Sequence, residues 1–139
     1  MENYSSSYGI LGETCDGIQS DFVVLDASNI YPMPVNLTHE EISSMILTFM
    51  TAYQMLIYRA NLRKGENVLI YGATSGVGSA AIQIAKCEGC KVYTTVGSKN
   101  KENFAYEMGA DIAVKIDADF QHDPDDIDRI IRPILELVL

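Results

Sequence analysis

Val68-Leu69-Ile70-Tyr71-Gly72-Ala73-Thr74-Ser75-Gly76-Val77-Gly78 is the stretch that decides how this chain folds. Four apolar residues of strand type (Val68, Leu69, Ile70, Tyr71) open directly into a turn carrying Gly72, Gly76 and Gly78. A helical pattern over Val77–Lys86 follows at once. The first turn of a helix leaves backbone N–H groups unsatisfied, and the macrodipole adds about half a positive charge there, so this junction is suited to an anion. The turn departs from the strict G-x-G-x-x-G spacing, with Ser75 standing among the glycines. Read alone, the glycines admit a second role, as residues that serve only a tight turn.

Outward from the junction, the pattern repeats. Gly89 is placed to end the helix in a left-handed conformation, and Lys91–Val96 is a β-branched and aromatic strand. Ser98 is positioned to N-cap a helix reaching about Met108 and stopping at Gly109. Asp111–Ile116 alternates as a third strand would. The fold class is therefore α/β: a partial Rossmann-type parallel sheet in the order β-α-β-α-β, half of a dinucleotide-binding fold. In such a fold the group facing the adenosine ribose lies about 20 residues past the glycines. Here that segment is Gly97-Ser98-Lys99-Asn100-Lys101, with no carboxylate before Glu102. A hydroxyl and two ammonium groups suit a 2′-phosphate, whereas a carboxylate would repel it. If a dinucleotide binds, NADP(H) is favoured over NAD(H).

Three stretches together resemble the medium-chain dehydrogenase/reductase family, in the flavour of its quinone oxidoreductase and zinc-binding-dehydrogenase-like members. They are Thr48–Tyr53, Leu62–Ile70 and Ser75–Lys86, and Gly97–Lys101 and Met108–Asp111 continue in register. Upstream, Ile10–Glu13, Asp16-Gly17 and Phe22–Val24 resemble the end of that family's catalytic domain. The resemblance implies an NADP(H)-dependent oxidoreductase passing hydride to a quinone, an enone or a carbonyl or alcohol substrate. It implies cofactor contacts at Ser75, Gly76, Val77, Gly78, Ser98 and Lys101, with Thr51 beside the nicotinamide and Tyr53 nearby. It also implies a chain truncated at both ends, since family members are more than twice this length. Leu47 stands where zinc-dependent relatives carry a thiolate, so no metal is expected. Ile46, Ile18–Asp21 and Ile116 depart from the family's usual residues. No side chain stands in a constellation that marks it as catalytic. The alternative reading is a truncated, non-catalytic nucleotide-binding or interaction module.

Composition fits a soluble, cytoplasmic chain, and the resemblance implies a small-molecule substrate. Ten basic residues stand against 19 acidic ones, a net charge of −9 that would repel a phosphate backbone, so nucleic acid is not an expected partner. Neither a membrane span nor a secretory signal is indicated. Cys87 and Cys90 form a C-x-x-C at a helix C-terminus, whereas redox pairs sit where a helix N-terminus lowers the thiol pKa; they read as packing and cap residues.

Four segments are expected. Residues 1–37 are a remnant of the catalytic domain, with a disordered tail over 1–8, a short strand at Phe22–Leu25, and an extended loop around Pro32 and Pro34. Residues 38–60 are connecting helices. Thr38–Glu41 is a capping box starting one near residue 39, and Thr48–Arg59 is a second. Residues 61–118 form the nucleotide-binding half. Residues 119–139 form an amphipathic helix that Asp123-Pro124 begins, with Ile127, Ile130, Ile131, Ile134, Leu135 and Val138 along one face and Pro133 dividing it. That apolar face either closes the sheet or docks a second copy or a partner subunit.

Overall fold

The computed structural model describes residues 9–116; the expected tail over 1–8 and the expected helix over 119–139 lie outside the described residues. The chain divides into two compact units at residues 37 and 38.

In the first unit no residue from 9 to 37 is buried. Its order is local. Leu11 and Cys15 form an isolated bridge around Gly12, whose φ of 84° is left-handed. Asp26 caps a 3-10 turn over Ala27–Asn29, its Oδ1 accepting from the Ser28 hydroxyl at 2.7 Å and the Ser28 amide at 2.8 Å. Those two bonds hold the Asp26 carboxyl below its ordinary pKa. The strand expected at Phe22–Leu25 does not form. Strand propensity records how well a side chain packs on a pleated surface. Here Phe22 and Val24 are 93% and 98% exposed, with no sheet beneath them among the described residues of this unit.

The second unit holds the core. Helix α1 (His39–Tyr53) begins at Thr38, whose hydroxyl accepts from the Glu41 amide while the Glu41 carboxylate accepts from the Thr38 amide, the reciprocal box expected from the sequence. The two helices expected in this region are one. No glycine or proline interrupts residues 39–59, and the helix passes straight into a π-helical segment over Gln54–Arg59. Asn61, with φ of 53°, ends it.

Strands β1 (Asn67–Ile70), β2 (Lys91–Val96) and β3 (Ile112–Lys115) form a parallel sheet in that order. Val68 faces Val92, and Tyr93 faces Ile112. Helices α2 (Gly76–Cys87) and α3 (Asn100–Glu107) make the two crossovers. Ala80, Ala81, Ile82 and Ala85 of α2 and Ala105 of α3 bury against Ile70, Val92 and Val96, so both helices share one face of the sheet. Small residues along α2 let its backbone lie close to the strands.

Both helices end in the same way. Gly89 (φ 75°) and Gly109 (φ 106°) are left-handed. Their amides donate to Lys86 and Tyr106, while the next amides, Cys90 and Ala110, reach back to Ala85 and Ala105. That pairing is the Schellman arrangement, which satisfies carbonyls a helix end would leave open. The C-x-x-C flanks the first of these ends, with Cys87 exposed and the buried Cys90 thiol donating to the Arg63 carbonyl at 3.2 Å.

At the N-terminal end of the strands, Asp111 accepts from the Val92 amide at 2.6 Å and from the Lys86 ammonium at 2.9 Å. Partial burial works to raise its pKa. The Val92 and Lys86 hydrogen bonds and the charges of Lys86 and Lys91 outweigh that, holding the carboxyl below its ordinary value. Among the described residues, no helix is long and apolar enough to cross a membrane.

Candidate functional site

The site assembles at the C-terminal ends of the parallel strands, where open α/β sheets take their ligands. β1 stops at Ile70, one residue earlier than the apolar run, because the chain must turn for α2. Gly72 makes that turn with φ of 70°, a conformation a side chain would resist. Its carbonyl accepts from the Ser75 amide at 2.9 Å. Ser75 is the N-cap of α2, and its Oγ accepts from the Gly78 amide at 2.9 Å. A bond of this kind is worth about 1 kcal/mol.

Two glycines of the elbow are required by close packing. A Cβ on Gly78 would collide with the Gly72 carbonyl oxygen and sit 2.7 Å from Ser75 Oγ. A Cβ on Gly76 would meet the Thr48 methyl at 2.9 Å. Gly78 is buried and its amide is engaged by Ser75, so it shapes the elbow and offers no donor at its mouth. Among the described residues, the amides of Gly76 and Val77 meet no protein acceptor. Gly76 is exposed and Val77 half-buried. These two donors, at the positive end of a 12-residue helix, are what the elbow presents to an anion.

The second junction, between β2 and α3, is built differently. Ser98 does not cap α3. The N-cap position falls on Lys99, whose backbone is already helical (φ −60°, ψ −38°) and whose side chain makes no capping bond. The Ser98 carbonyl, and not its hydroxyl, engages the helix start, accepting from the Lys101 amide at 3.1 Å. Ser98 is half-buried, while Lys99 and Lys101 are exposed. Neither lysine pairs with a carboxylate among the described residues.

Thr51 is exposed on α1, and its hydroxyl donates to the Leu47 carbonyl of its own helix at 2.8 Å. The α1 residue that meets the elbow is Thr48, one turn earlier. Tyr53, which the resemblance puts near Thr51, is 45% exposed. It stacks edge-on against Tyr58 at 5.8 Å over a groove of about 380 Å³. A second apolar cavity of about 340 Å³ adjoins the elbow, lined by Ala52, Met55, Leu56, Tyr71, Ser75 and Val77.

Sequence reasoning missed Thr95. Its Oγ1 accepts from the Gly72 amide and its carbonyl from the Ala73 amide, each at 3.0 Å. The partners lie more than 20 residues apart in the chain, and the only local sign is a threonine in a strand rich in β-branched residues.

The sequence profile of the zinc-binding dehydrogenase family matches residues 76–132. The quinone oxidoreductase of Mus musculus is 35% identical over 97 residues, covering 70% of this chain and 29% of that protein. A solved NAD-dependent alcohol dehydrogenase superposes with a TM-score of 0.78 at 41% identity, covering 92% of this chain and 37% of its own. The quinone oxidoreductase of Thermus thermophilus, solved alone and with NADPH, gives a TM-score of 0.56 at 33% identity, over 60% of this chain and 28% of that one. This chain thus spans well under half the length of each.

Proposed function

The chain belongs to the medium-chain dehydrogenase/reductase family, and on that premise we propose that residues 72–78 hold the diphosphate of a nicotinamide dinucleotide. The observation that carries this reading is the pair of amides at Gly76 and Val77, left without a protein acceptor at the start of α2. The glycines fit the same purpose. Gly76 has no side chain to keep a diphosphate from the backbone, and Gly78 seats the helix tightly on the turn. Ser98, Lys99 and Lys101 follow β2 at the position where the adenosine ribose lies in this kind of fold, and their charge suits a 2′-phosphate. The preference for NADP(H) rests on that charge alone, since one of the similar solved proteins is NAD-dependent and another was solved with NADPH.

When bound, such a cofactor supplies a hydride, and the protein's part is to position it and exclude water. Here α2 fixes the diphosphate, and the apolar cavity beside Ser75 and Val77 offers a dry surface next to it. The hydride acceptor is a quinone, an enone or a carbonyl compound. A second reading, a nucleotide-binding module without turnover, is favoured by one observation. As groups able to move a proton, the residues lining these two apolar cavities include no carboxylate, imidazole or ammonium, only the phenols of Tyr71, Tyr53 and Tyr58.

Titrating the chain with NADPH and NADH by fluorescence, then adding 1,4-naphthoquinone, separates these readings. Binding with NADPH oxidation is the expected result. Tight binding without oxidation leaves the module, and no binding of either nucleotide defeats both readings.

A further inference from the structure

We infer that Thr95 is the positioning residue that joins the two halves of this site, an inference that rests on the nucleotide reading above. Two consecutive threonines stand just before the last residue of β2, with their hydroxyls on different tasks. Thr94, fully buried, donates its hydroxyl to the Ile70 carbonyl at 2.7 Å and fastens β2 to the last residue of β1. Thr95 fastens the turn itself, its Oγ1 accepting from the Gly72 amide and its carbonyl from the Ala73 amide. Gly72 holds a left-handed φ of 70° there, and its own carbonyl anchors Ser75, the cap of α2. A continuous chain of contacts thus runs from Thr95 through Gly72 and Ser75 to the helix start that bears the open amides.

The other half of the site is covalently continuous with Thr95. Two residues further on, the backbone becomes Gly97-Ser98-Lys99, the segment assigned to the 2′-phosphate. One residue therefore fixes the distance between the diphosphate donors and the group that selects the cofactor. A β-branched side chain suits the task, since its χ1 is stiff and the hydroxyl is held in place at little entropic cost. Valine would keep the shape and lose the acceptor, leaving the Gly72 amide without its partner.

The decisive comparison is Thr95→Val against Thr95→Ser, with NADPH affinity measured well below each variant's melting transition. Thr95→Val is expected to weaken NADPH binding about tenfold, and Thr95→Ser to stay within about twofold of the unmodified chain. A folded Thr95→Val that binds NADPH as tightly as the unmodified chain overturns the inference, even if its melting temperature falls. Amide hydrogen exchange on the unmodified chain gives a second reading that needs no variant. Without nucleotide, the Gly72 and Ala73 amides are expected to be protected while those of Gly76 and Val77 exchange freely. Rapid exchange at Gly72 and Ala73 overturns the role of Thr95. Failure of the unmodified chain to bind NADPH instead overturns the nucleotide site and leaves that exchange pattern to judge the clamp alone.

Discussion

The two strand–helix junctions of this domain share a topology and almost nothing else. Between β1 and α2, the turn is held by specific contacts. Gly72 is left-handed and held by Thr95, Ser75 caps the helix, and the missing side chains of Gly76 and Gly78 make room for Thr48 and the turn. Between β2 and α3 there is no capping side chain, and a Cβ on Gly97 would meet nothing within 4 Å. Instead, two exposed ammonium groups stand there. The first junction is specified by shape and the second by charge. A diphosphate common to all such cofactors calls for fixed amide geometry. A distinction between a ribose hydroxyl and a ribose phosphate calls only for the right charge on a permissive loop.

The largest effect should come from breaking the first junction. Gly78→Ala places a methyl against backbone that cannot swing aside, forcing α2 away from the turn. A cost of about 3 kcal/mol is expected, read as a melting temperature lower by roughly 12–20 °C. A variant that melts like the unmodified chain would show that the junction is not fixed by shape. Next in size is the reversal of charge at the second junction. Changing Lys99 and Lys101 together to Glu should leave folding intact and lower the preference for NADPH over NADH by about tenfold or more. A fall in affinity for both nucleotides alike would show that these lysines act only as a general anion attractor.

The sequence could be read wherever one residue imposes a local geometry. The bounds of β2, the capping box at Thr38, and the left-handed Gly89 and Gly109 all follow from chemistry within a few residues. Reading failed where a partner distant in the chain decides. Phe22–Leu25 has strand composition, but a strand needs a ladder, and none forms among the described residues of its unit. Ser98 has the side chain of an N-cap, but the helix starts from an already helical Lys99. The same division runs through the site. Ser75 and the glycines announce the elbow, yet their separate duties emerge only from tertiary contacts. Those contacts commit the Gly78 amide to Ser75 and leave the amides of Gly76 and Val77 open. Thr95, which holds the turn, and Thr48, which packs against Gly76, carry little local mark of those contacts.

The smallest expected effect gives the sharpest contrast, because it repeats the glycine-to-alanine change where shape is not in charge. Gly97 lies outside the left-handed region, and space is open around its Cα. Gly97→Ala should therefore leave stability unchanged or raise it by about 0.5 kcal/mol, since alanine narrows the unfolded chain without straining the folded one. NADPH affinity should stay within about twofold of the unmodified chain, because on the proposed reading the Ser98–Lys101 segment acts through side-chain charge and needs no bare backbone at residue 97. Thermal melting and the same fluorescence titration test both halves of that expectation. If alanine here spared the fold but weakened NADPH sharply, the second junction would also be read through its backbone, and the division between shape and charge would fail at its permissive end.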